Sequence, residues 1–105
     1  MTLSTPTREQ TFSRLRAAEG EIRALGVRRL ALFGSVARDA AKVGSDVDLL
    51  VEFSPGQKTF DRFMALSDLL ERLVGHRVEL VTVEGLSPFI GPHILAEAAD
   101  VLRAA

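Results

Sequence analysis

Two hydrophobic periods alternate along this chain, and that alternation restricts its fold more than any other feature. From about Thr7, the residues Phe12, Leu15, Ala18, Ile22 and Leu25 recur at three- and four-residue steps with Arg and Glu between them. This is the spacing of an amphipathic helix, and Gly26 supplies its stop. The short apolar run Val27–Phe33, closed by Gly34, predicts a strand buried toward its end. Ser35 to about Ala41 predicts a short helix, Lys42–Ser45 a turn, and Asp46–Phe53 a second strand that Ser54-Pro55-Gly56 ends. Thr59–Val74 is a second long helix with a wide apolar face that Gly75 terminates, and Phe60, Phe63 and Met64 on it are expected in the core, with docking of a partner the other use such a cluster has. Arg77–Val83 predicts a third strand. After a loop holding Pro88, Gly91 and Pro92, the spacing of Ile94, Leu95, Ala98, Val101 and Leu102 predicts a closing helix.

The resulting order is α-β-α-β-α-β-α, without internal repeat, linker or low-complexity segment. It predicts one α/β (α+β) domain over residues 1–105, in which helices pack on a small mixed sheet of about three strands. Thirteen Lys and Arg against fourteen Asp and Glu leave a net charge of −1, so no direct nucleic-acid binding is expected and any affinity for anions must be local. The absence of Cys excludes disulfides, thiolate metal sites and cysteine nucleophiles, and two His cannot build a histidine-rich centre. No apolar run approaches the roughly 20 residues that cross a bilayer. The start Met1-Thr-Leu-Ser-Thr-Pro-Thr-Arg8 lacks the charged-then-apolar order of a signal peptide, so no membrane association and a cytoplasmic location are expected.

Chemistry concentrates in two short pieces. Asp46 and Asp48 stand two apart on a predicted strand, so their carboxylates leave one face with Cα atoms roughly 7 Å apart. Such a pair repels unless a cation lies between, and hard oxygen ligands without His or Cys favour Mg²⁺ or Mn²⁺, whose coordination phosphate oxygens and water complete. The second piece is Gly34-Ser35, where a buried strand turns into a helix. Free backbone N–H groups there favour a phosphate, Gly34 permits close approach and Ser35 adds a hydroxyl. Neither piece is specific alone. Together, separated by ten residues and each on the element it needs, they point to a nucleotide substrate.

With these residues in hand, Gly34-Ser-Val-Ala-Arg38 followed by Ser45-Asp-Val-Asp-Leu-Leu-Val51 resembles the signature of the minimal nucleotidyltransferases (MNT), small members of the DNA polymerase beta superfamily. Gly75-His-Arg-Val-Glu-Leu-Val-Thr82, Gly85-Leu-Ser-Pro-Phe89 and Ile94-Leu95 extend the likeness over nearly the whole chain. The resemblance implies the nucleotidyltransferase fold and Mg²⁺-dependent transfer of a nucleoside monophosphate from a triphosphate, ATP, to a hydroxyl. It implies metal and catalytic roles for Asp46, Asp48 and Glu79, the last standing where the family commonly carries Asp. It also implies nucleotide contacts by Gly34, Ser35, Arg38 and Ser45. A second departure is Asp39, where the family usually has Gly. Small members of the family are typically antitoxins of HEPN/MNT toxin–antitoxin pairs that adenylylate their HEPN ribonuclease partner, commonly on tyrosine, the partner being encoded adjacent to them.

Two other functions stay open on the sequence: a non-catalytic antitoxin that acts by binding its partner, and nucleotidyl transfer to a small molecule. His76 and His93, beside Gly75 and Pro92, are helix-end or loop residues without an assigned role. Arg14, Arg16, Arg23, Arg28 and Arg29 interleave with Glu9, Glu19 and Glu21 and predict a solvated face.

Overall fold

The computed structural model describes residues 5–104. Residues 1–4, part of the N-terminal stretch read as lacking a leader, and residue 105 lie outside the described residues. The helical period at the start resolves into α1 (Arg8–Ala17) and α2 (Glu19–Ala24), which meet at Ala18. Thr7 caps α1 by accepting a hydrogen bond from Gln10 N–H at 3.2 Å. Leu15, Ala18 and Ile22 remain buried on one side through the break. Then follow β1 (Val27–Phe33), α3 (Gly34–Ala37), β2 (Val47–Phe53), α4 (Phe60–Val74) and β3 (Val78–Thr82). A 3₁₀ turn (Val83–Gly85), α5 (Gly91–Glu97) and β4 (Ala99–Leu102) complete the chain. Thr59 caps α4 through Arg62 N–H at 3.1 Å, and Gly75 ends it at φ 73°, a left-handed conformation that suits glycine.

The sheet has four strands in the order β3-β2-β1-β4, one more than the periodicity indicated. β1 runs antiparallel to both β2 and β4, while β2 and β3 are parallel and joined by the α4 crossover. The predicted closing helix is the difference. It ends at Glu97, Ala98 turns to extended backbone (φ −65°, ψ 130°), and residues 99–102 pair with the free edge of β1. Spacings of one, three and four fit either period once only four residues remain, and hydrogen bonds to β1 decide the outcome.

Alternation along β2 separates the two faces. Val47, Leu49, Val51 and Phe53 join Leu30 and Leu32 under α1, α2 and α4 in the main core. Ala31, Phe33 and Leu50 form a smaller cluster on the opposite face, where Val81, Leu86, Ile94 and Ala98 pack against them. The α4 stripe that meets the sheet is Leu66, Leu69, Leu70 and Val74. Phe60 and Met64, expected in the core, lie off that stripe and are 77% and 44% exposed, whereas Phe63 packs against the core's rim. Of the arginines expected on a solvated face, Arg14, Arg16 and Arg28 are exposed, and several also bond across the fold. Arg14 donates to the Val74 carbonyl, Arg16 to the carbonyls of Val101 and Asp100, and Arg29 pairs with Asp100 at 2.6 Å. Among the described residues no helix is long and apolar enough to cross a membrane.

Candidate active site

The lightly covered face of the sheet carries the site. Antiparallel pairing sets Phe33, the last residue of β1, opposite Asp48, and parallel pairing sets Asp48 opposite Glu79. Because side chains alternate along strands, Asp48 and Glu79 leave the same face, between the two ends that the register brings together. Gly34 follows Phe33 directly at φ 74°. A Cβ added to Gly34 would fall on the Asp48 carboxylate, so glycine is required here both by backbone conformation and by space.

The carboxylates crowd one another. Asp48 is pushed up from 3.8 to about 6, first by burial, then by the charge of Glu79 and a hydrogen bond with it, and by the charge of Asp46, with Arg38 acting in the opposite direction. Glu79 is exposed on the edge strand β3, while Asp48 is partly buried. Asp46 stands just ahead of β2, outside the strand in which it was expected. Ser45 holds the turn before it: its hydroxyl accepts from Lys42 N–H at 2.8 Å and its own N–H donates to the Lys42 carbonyl at 3.0 Å. Ser35 lies in α3, a helix of four residues, shorter than the predicted one, and its carbonyl accepts from Ala40 N–H at 2.8 Å.

Asp39 has the left-handed φ of 54°, singular among the described non-glycine residues. Its carboxylate accepts from Arg8 N–H at 3.3 Å and so faces α1. Arg38 is exposed and pairs with Glu97 at 3.1 Å, and Glu97 also accepts from Gly34 N–H at 3.1 Å. Glu97 is a polar member of the site that sequence reasoning missed. It follows the apolar positions Ile94 and Leu95 within a run read only for its helical period, and no local signal links it to Gly34.

Asp48, Glu79 and Asp46 supply hard oxygen donors that crowd one another, with the exposed Arg38 the one group acting on Asp48 in the opposite direction, which fits a divalent cation. Among the described residues no three His, Asp or Glu side chains already form a ligand set, so Asp48 and Glu79 are the unit present and Asp46 stands beside it.

The profile of the nucleotidyltransferase domain family matches residues 15–101. Protein adenylyltransferase MntA of Thermococcus cleftensis is 40% identical over 96 residues, 90% of this chain and 96% of that protein. A solved structure proposed to be a minimal nucleotidyltransferase superposes with a TM-score of 0.78 at 38% identity, covering 89% of this chain and 94% of that one. At 14% identity, the fold is shared with a solved complex of a tri-AMPylated Shewanella oneidensis HEPN toxin with its MNT antitoxin, with a TM-score of 0.62 over 89% of this chain and 73% of that one.

Proposed function

The chain belongs to the nucleotidyltransferase domain family, and from that premise we propose that it is a protein adenylyltransferase antitoxin. In this reading it transfers AMP from ATP to a hydroxyl, commonly of tyrosine, on a HEPN ribonuclease toxin encoded adjacent to it, and so neutralises the toxin. The observation that carries the reading is the meeting of Gly34, Asp48 and Glu79 at one end of the sheet, with Arg38 within reach. The name of the Thermococcus relative and the AMP-bearing toxin of the Shewanella complex support the nucleotide and the class of acceptor.

Each residue has a task. Gly34 offers its N–H, Arg38 its guanidinium and Ser35 its hydroxyl to the phosphates, with Ser45 shaping the turn that presents Asp46. Asp46, Asp48 and Glu79 would hold Mg²⁺ or Mn²⁺, which when bound neutralises phosphate charge and lowers the pKa of a coordinated hydroxyl. Glu79, exposed at the sheet edge, is the carboxylate open to an arriving acceptor and can take its proton. The acceptor oxygen bonds to the α-phosphorus as the bond from that phosphorus to the bridging oxygen breaks, and pyrophosphate leaves with that oxygen. A bulky acceptor needs an open site, and the exposure of Glu79 and Arg38 provides one.

The test is the intact mass of the adjacently encoded protein after co-expression with wild type or with Asp46→Asn plus Asp48→Asn. Mass gains of whole AMP units that vanish with the double variant establish the transfer. An unmodified partner that still co-purifies and is inhibited establishes instead an antitoxin acting by binding.

A further inference from the structure

The Glu97 carboxylate occupies the donors that a phosphate would use. Its Oε1 accepts from Gly34 N–H at 3.1 Å, and Arg38 Nη1 donates to Oε1 at 3.4 Å and to Oε2 at 3.1 Å. A backbone N–H together with a guanidinium is the donor set by which proteins take one edge of a phosphate, and a carboxylate presents two oxygens and one negative charge to the same groups. Glu97 reaches the site from 63 residues away in the chain. It is delivered from two sides. Ile94, one turn earlier in α5, and Ala98, the next residue, pack on the cluster that contains Phe33. Beyond them β4 is pinned to the body of the protein by Arg29 on Asp100 and by Arg16 on the carbonyls of Asp100 and Val101.

We propose that Glu97 is an intramolecular stand-in for the triphosphate: it holds the Gly34–Arg38 donors in the free protein and leaves when nucleotide binds. Its charge thereby lowers the affinity for a nucleoside triphosphate, and binding is coupled to release of the C-terminal end of α5. This rests on the reading above that Gly34 and Arg38 receive the phosphates. The two occupants exclude one another, because the Gly34 N–H has one hydrogen to give and a polyanion beside Glu97 sets like charges in contact. Displacement is inexpensive. The Arg38 and Glu97 side chains are 57% and 36% exposed, and ion pairs so open to water contribute little. Glu97 is also the last residue of α5, so the final turn can loosen as its side chain leaves while the start of the helix stays packed through Ile94.

The experiment measures binding of ATP with Mg²⁺ by calorimetry for wild type, Glu97→Gln and Arg38→Ala, alongside hydrogen exchange of the amides of residues 93–98. Gln keeps the shape and a hydrogen-bond acceptor and removes the charge. The expected result is binding tighter by about 1.5-fold to fivefold in Glu97→Gln, the range set by an exposed ion pair, and weaker binding in Arg38→Ala. In wild type, nucleotide should speed exchange at the end of α5. In Glu97→Gln, exchange there should already be faster before nucleotide is added. If Arg38→Ala weakens binding while Glu97→Gln binds equally or less well, the phosphate cradle stands and the stand-in is refuted, Glu97 then serving to position Arg38. If Arg38→Ala binds as wild type does, or if neither wild type nor Glu97→Gln binds, the reading of the cradle fails and takes the stand-in with it.

Discussion

Replacing Asp48 by Asn should stabilise the free protein while abolishing transfer, because the carboxylate is held in the folded state against its own electrostatics. Moving a carboxyl from 3.8 to about 6 corresponds to about 3 kcal/mol if water has no access to it. Asp48 is only partly buried, so solvent screening reduces the expected gain to about 1 kcal/mol. In a domain of this size that raises Tm by about 4–8 °C. The pH dependence identifies the cause. Well below 3.8, Asp48 is neutral whether the chain is folded or unfolded, and the penalty is absent. Between 3.8 and about 6 the folded state retains a proton that the unfolded chain has released, so wild-type stability falls as pH rises through this window. Asn mimics the neutral acid throughout and can still donate to Glu79. The gap between variant and wild type should therefore be near zero at about pH 3.5, open across the window and be constant above about pH 7. Urea unfolding of both proteins at fixed salt, without divalent cation, measures it. A variant no more stable than wild type near pH 8, or a gap that persists undiminished near pH 3.5, refutes the argument.

Other perturbations separate packing from chemistry. Gly34→Ala meets both a positive φ and the Asp48 carboxylate, and should cost about 2–4 kcal/mol in chemical unfolding as well as transfer activity; full stability would mean that β1 and β2 do not approach as described. Asp39→Gly should be stabilising by up to about 1 kcal/mol, relief of the left-handed strain exceeding the loss of the bond to Arg8, and a drop in Tm would show that bond to be the larger effect. Phe60→Ser should change stability by no more than about 0.5 kcal/mol, since the ring is 77% exposed, and a loss near that of a core phenylalanine would place it back in the interior. Millimolar Mg²⁺ alone should raise the Tm of wild type and leave Asp48→Asn unmoved; equal shifts in both would remove Asp48 from the cation site.

The limits of the sequence follow from the range over which each interaction acts. Helices were legible where their determinants are local: the hydrophobic period of 66–74 and Gly75 at the left-handed end, while the structure adds the hydroxyls of Thr7 and Thr59 that cap the first turns. The same period misassigned 98–102, because a four-residue strand exists only through its bonds to β1. It also misplaced Phe60 and Met64, since apolar character says nothing of which helix face the sheet will cover.

The sequence by itself determined the chemistry available: two carboxylates two apart, a glycine and serine ten residues before them, and an order of elements that puts both pieces at chain reversals. Only the tertiary structure decided which groups meet. Parallel pairing of β2 with β3 brings Glu79 to Asp48 across 31 residues, and the docking of α5 and β4 carries Glu97 to Gly34. Register and docking are properties of hydrogen bonds and buried surfaces between distant segments. A one-residue slip of either strand would have turned one of the two carboxylates to the opposite face with the composition unchanged.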